Sequence, residues 1–105
     1  MKKKPIITGI CVSPGKVTGI LRLYQKGVAY KKNDIVILNE WLTSGVAALK
    51  HAGGLLSDKG GITCHASIIA REYGIPCLVS VRHLEDLKLG TRIELDATCE
   101  TVKIL

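Results

Sequence analysis

The chain is 105 residues long, 47% of them hydrophobic, with 15 Lys and Arg against 9 Asp and Glu. That length holds one domain and not two, and the apolar content excludes a disordered chain. The formal net charge of +6 suits an anionic ligand or an acidic partner surface, but no Phe, one Trp and three Tyr give no stacking platform, so nucleic acid is not an expected partner.

The domain is expected to occupy residues 1–105, with residues 1–4, carrying Lys2, Lys3 and Lys4, as a basic disordered tail. No run approaches the roughly 20 apolar residues of a membrane span, so no membrane association is expected. The start "MKKKPIITGICV" lacks a long apolar region and a small-residue cleavage site. A cytoplasmic location is the resulting expectation.

Ile6 to Val12 reads as a strand, and Ser13-Pro14-Gly15 as a turn. Val17 to Leu23 alternates as a second strand. Gln25-Lys26-Gly27 and Lys31 to Asp34 read as loops. Ile35-Val36-Ile37-Leu38 is a short, continuously apolar run, the pattern of a strand buried on both faces. A helix is expected next, capped by Thr43 or Ser44, running to His51 and stopped at Gly53-Gly54. Leu55 to Ser57 reads as a short strand, and a loop and second helix follow. Pro76 to Val81 is a strand, and His83 to Leu87 one helical turn. Arg92 to Leu95 and Thr101 to Leu105 close the chain as a hairpin-like pair. This order predicts one compact α/β domain with a mixed sheet and flanking helices.

Cysteines stand at 11, 64, 77 and 99 with no CxxC pair, so a zinc site is not expected, and with no secretory signal in view neither is a disulfide. Cys11, Cys77 and Cys99 lie in or beside apolar runs and read as small buried hydrophobes. His51 reads as a cation at a helix C-terminus and His83 as a surface residue.

The densest chemistry lies in "GGITCHASIIAREYGIP", residues 60–76. Gly60 and Gly61 let the backbone approach a ligand with no Cβ in the way. Thr63 is placed to cap a helix, so that Cys64 and His65 fall in its first turn. Ala66, Ile69, Ala70 and Tyr73 form an apolar stripe, with Ser67 and Arg71 off it. Gly74 ends the helix and Pro76 prevents its return. A helix N-terminus presents unpaired N–H groups and a positive dipole end, a ready anion site. The same field disfavours imidazolium, and neutral imidazole is the nucleophilic form. Nucleophile and anion cradle thus share one short segment. A histidine that caps and packs is the plainer alternative, and the residues alone leave both open.

The segment closely resembles the phosphohistidine signature of the phosphoenolpyruvate-utilising enzymes: phosphoenolpyruvate synthase, pyruvate phosphate dikinase, enzyme I of the sugar phosphotransferase system and rifampin phosphotransferase. "GICVSPGKVTGILRL" at 9–23 resembles the family's entry strand and turn, "DIVILNEWLTSGVAALKHAGGLLSDKGG" at 34–61 its segment leading into the active loop, and "GTRIELDATCETVKIL" at 90–105 its closing strands.

The resemblance implies a swivelling β/β/α domain in which His65 is the phosphorylated residue, on Nε2. Thr63 matches the position that orients it. Cys64 matches the Thr-Cys-His form typical of phosphoenolpyruvate synthase and implies a role as the histidine's environment, with redox or metal chemistry as its alternative. Gly60 and Gly61 match the phosphate-loop glycines. Arg71 matches an arginine of the motif, either as a phosphate contact or as a structural ion pair. No metal or cofactor is expected in this domain; Mg²⁺ and ATP are expected at partner domains. Those partners would be an ATP-grasp nucleotide-binding domain and a domain for phosphoenolpyruvate or pyruvate, in trans or in a longer parent chain, so the chain should not complete a reaction cycle alone. A docking or regulatory module that keeps the fold, a structural domain without phosphoryl chemistry, and a carrier for a rifampin-type acceptor are the alternatives.

Overall fold

The computed structural model describes residues 6–25, 28–38, 49–58 and 65–105, with Ile6, His65, Ala66, Ser67 and Glu85 described by backbone alone. The elements in chain order are β1 (Ile6–Thr8), β2 (Ile10–Ser13), β3 (Lys16–Leu23), β4 (Asp34–Ile37), β5 (Gly54–Leu56), α1 (His65–Tyr73), β6 (Cys77–Val79), a 3₁₀ turn (Leu84–Asp86), β7 (Arg92–Asp96) and β8 (Thr101–Ile104). The expected helix from Thr43 lies outside the described residues, apart from its last few positions. The basic tail lies outside them entirely.

All eight strands join one sheet in the order β1-β8-β7-β3-β4-β5-β6-β2. β3, β4, β5 and β6 are mutually parallel, while β7, β8, β1 and β2 are added antiparallel. This is the mixed α/β sheet anticipated from the element order.

The strand expected over Ile6 to Val12 is two strands. They break at Gly9 and lie at opposite ends of the sheet order. Because a single residue separates them, the sheet must curl until its two ends meet. The seam is bonded: Gly9 N–H donates to the Glu100 carbonyl (3.3 Å), Cys11 N–H to the Glu100 carboxylate (2.7 Å) and Arg82 N–H to the Thr8 carbonyl (3.3 Å). A side chain at Gly9 would meet Val81 Cγ2 at 2.9 Å and the Val79 carbonyl at 3.0 Å, so the crossing point has room only for glycine. Glu100 reaches both of its partners from a left-handed backbone, φ 62°.

The curl creates two cores. Inside it lie Ile7, Leu21, Ile35, Ile37, Leu56, Leu78, Ile93, Leu95 and Val102. On the outer face, under α1, lie Val12, Val36, Leu38, Leu55, Ile69, Ala70, Cys77 and Val79. Strands β4, β5 and β6 send alternate side chains to each core, which is why 35–38 is apolar at every position. β7 has only one buried face and alternates Arg92, Ile93, Glu94, Leu95 accordingly.

Of the three cysteines expected to be buried, Cys77 is buried and Cys11 half-buried, but Cys99 is exposed. It sits in the tight turn between β7 and β8, where Glu100 N–H bonds the Ala97 carbonyl. Its neighbours Thr98 and Glu100 belong to that turn, not to an apolar strand.

Candidate functional site at the start of helix α1

α1 is the crossover between the parallel strands β5 and β6, so it runs back against them. Its C-terminal end is fixed at the amino edge of the parallel strands. There Arg71 Nε donates to the Val12 carbonyl (3.1 Å) and Gly15 packs against Pro76. Its first residue, His65, therefore stands at the opposite end, beyond the carboxyl end of β5. Crevices at the carboxyl ends of parallel strands are where α/β sheets place ligands.

The helix is nine residues long and is anchored by its buried face. Ile69 and Ala70 pack in the outer core and Tyr73 against it, as the spacing predicted. Its end is a Schellman cap: Gly74 is left-handed (φ 67°), and Ile75 N–H bonds back to the Ala70 carbonyl at 2.9 Å. Ile75 and Ala70 share the outer core, which adds the hydrophobic contact of that motif.

The first turn of α1 contains no acidic side chain. No carboxylate of the helix therefore competes for the N–H groups that its first residues leave unpaired. Ile68, one turn beyond His65, is exposed. The helix begins at His65, within one position of the sequence expectation. Gly60, Gly61, Thr63 and Cys64 lie outside the described residues, as does the expected cap at Thr63.

Arg71 is on the helix surface, and its described bond is to a backbone carbonyl of β2. The structure thus supplies a tethering contact that the sequence did not suggest, since a backbone acceptor 59 positions away leaves no local signal. No carboxylate among the described residues pairs with it. His51 is exposed and lies within the turn closed by the bond from Ala52 N–H to the Leu49 carbonyl (3.0 Å). His83 is exposed, with Nδ1 3.6 Å from the Asp86 carboxylate, and opens the 3₁₀ turn from a left-handed backbone, φ 59°. Among the described residues no three His, Cys, Asp or Glu side chains gather as metal ligands, and no helix is long and apolar enough to cross a membrane.

Residues 30–99 match the sequence profile of the "PEP-utilising enzyme, mobile domain". The chain is 34% identical over 95 residues to a probable phosphoenolpyruvate synthase of Methanothermobacter thermautotrophicus, covering 87% of this chain and 14% of that protein. It is 33% identical over 97 residues to the phosphoenolpyruvate synthase of Pyrococcus furiosus, covering 89% of this chain and 12% of that one. The chain thus spans about an eighth of these curated relatives. Among solved structures, an NMR structure of enzyme I matches 75% of this chain and 32% of its own, with TM-score 0.59 and 26% identity. Aconitase X of Thermococcus kodakaraensis matches 96% of this chain and 98% of its own, with TM-score 0.74; at 19% identity that likeness is one of fold. The profile match covers two thirds of the chain and includes the whole of α1 with its preceding loop, so this protein belongs to the family of mobile domains of the PEP-utilising enzymes.

Proposed function

We propose that this chain is a phosphoryl carrier and that His65 is the residue that carries the group. The observation behind this reading is positional: His65 opens α1 at the carboxyl edge of the parallel strands, in a first turn without carboxylates, directly after Gly60-Gly61-Ile62-Thr63-Cys64. Neutral imidazole attacks the donor phosphorus, a nitrogen–phosphorus bond forms, and the phosphorus–oxygen bond to the leaving group breaks. The added negative charge then lies beside unpaired helix N–H groups. In the second half-reaction the acceptor oxygen attacks, the nitrogen–phosphorus bond breaks and neutral imidazole returns.

Within this reading Gly60 and Gly61 make room for the phosphoryl oxygens, Thr63 orients the ring and Cys64 lines its surroundings. Donor and acceptor sites lie on other domains, an ATP-grasp domain with ATP and Mg²⁺ and a domain for phosphoenolpyruvate or pyruvate. The phosphoenolpyruvate synthases among the relatives, several times longer than this chain, support that division and favour pyruvate as acceptor.

The test is phosphoryl transfer from labelled phosphoenolpyruvate in the presence of the cognate partner. A phosphoramidate is lost in mild acid and kept in base. Label that is acid-labile and absent from His65→Ala is the expected result; acid-stable label, or full labelling of His65→Ala, removes the proposal.

A further inference from the structure

At the end of the sheet remote from His65, two loops lie against each other. One carries Lys31 and Lys32 into β4; the other carries Lys50 and His51 into β5. All four residues are exposed. The loops are held by backbone. Gly53 N–H bonds the Asp34 carbonyl (2.9 Å), and Ile20 N–H bonds the Asn33 carbonyl (2.7 Å). Any Cβ at Gly53 would collide with the Lys32 carbonyl, and any Cβ at Gly19 with that of Asn33. Glycine is therefore required on both sides of the Lys31–Asp34 loop for it to seat.

Within these two loops the charges do not cancel. Asp34 is the one carboxylate on these loops, and both of its oxygens are engaged. Oδ1 accepts from Arg22 Nε (2.9 Å) and Oδ2 from Lys31 N–H (2.9 Å). The Arg22–Asp34 pair is neutral as a unit, which leaves Lys31, Lys32 and Lys50 as three positive charges on a fixed backbone. A fixed backbone lowers the ordering cost of association.

We infer that these two loops form a docking surface for an acidic face of the protein that supplies or receives the phosphoryl group. The position fits a carrier: contact at this end leaves the start of α1 free to meet a reaction site. Aromatic rings argue against a nucleic acid here, because Tyr30, the ring nearest Lys31 in sequence, is buried with its hydroxyl bonded to the Leu23 carbonyl. The name given to the partner rests on the carrier reading above; the anionic contact itself does not.

The experiment titrates the full chain with a deca-glutamate peptide, a Gly-Ser peptide of equal length and a ten-residue oligothymidylate, followed by amide NMR at two salt concentrations. Deca-glutamate should shift the amides of residues 31–34 and 50–53, bind more weakly at the higher salt, and lose on the order of tenfold affinity or more in K31E/K32E/K50E. K31Q/K32Q/K50Q should fall between the two. Shifts confined to the Lys2–Lys4 tail, undiminished binding by the charge-reversed chain, or tighter binding of the oligothymidylate each overturn the inference, the last in favour of nucleic acid. His65→Ala should bind deca-glutamate as the parent does. If it does so while phosphoryl transfer to the parent chain fails, the docking surface stands and the carrier reading falls.

Discussion

Arg71 Nε donates a 3.1 Å hydrogen bond to the Val12 carbonyl, so the last turn of the helix that begins with His65 is tied to β2, the terminal strand of the sheet order. Arg71→Met should lower the unfolding free energy by about 1 kcal/mol, the usual worth of such a bond. Arg71→Lys should fall short of wild type, because a lysine cannot place a planar N–H at the same point. Urea denaturation checks both. An unchanged midpoint in Arg71→Met would mean that the tether carries no stability.

Three glycines should differ in what alanine costs them. Gly53→Ala drives a Cβ into the Lys32 backbone carbonyl. Gly15→Ala combines a φ of +135° with a Cβ 2.7 Å from Pro76 Cγ. Gly74→Ala has open space and only the left-handed φ of +67° to bear, about 1–2 kcal/mol. The expected order of destabilisation is Gly53 greater than Gly15 greater than Gly74, read from thermal midpoints. A Gly53→Ala chain as stable as Gly74→Ala would contradict the packing of the two loops.

The histidines should separate cleanly in phosphoryl transfer. His51→Ala and His83→Ala should keep full labelling, since both side chains are exposed and lie outside the first turn of α1. Cys64→Ser should also label. Thr63→Val should label about 10- to 100-fold more slowly, the effect of losing one orienting hydrogen bond of roughly 1–3 kcal/mol. Single-turnover labelling time courses distinguish these outcomes, and loss of label in His83→Ala would point to a different acceptor.

Cys99 should be a sluggish thiol although it is exposed. The Asp96 carboxylate accepts its hydrogen bond and repels its thiolate, and both effects raise its pKa above the usual value. Iodoacetamide should therefore modify Cys99 slowly at neutral pH, and faster in Asp96→Asn. Equal rates in the two chains, measured by mass spectrometry of the 97–103 peptide, would refute the coupling.

Much of the architecture was legible because periodicity reports burial. The doubly buried run at 35–38, the alternation of β7 and the stripe Ile69, Ala70, Tyr73 each state which faces of an element meet a core. The helix stop at Gly74 was equally readable, since its left-handed backbone is a local requirement. The split of residues 6–12 was not legible: Ile, Ile, Thr and Ile, Cys, Val suit either one strand or two, and only the closing of the sheet forces the break at Gly9. Cys99 was misplaced for a related reason, because its apolar neighbours belong to strands on either side of a turn.

Legible in the residues alone were the helix expected after Thr63, its capped end at Gly74, the apolar faces and the proximity of Gly60, Gly61, Thr63, Cys64 and His65 along the chain. These follow from local backbone preferences and from spacing within one element. Tertiary structure alone decided that the ends of the sheet meet across Glu100 and that Arg71 spends a donor on Val12. It also decided that the lysines of two separate loops stand together, and that His65 lies at the opposite edge from them. Each of these joins positions tens of residues apart, and contacts of that range are set by how the sheet curls around its core, which no local pattern encodes.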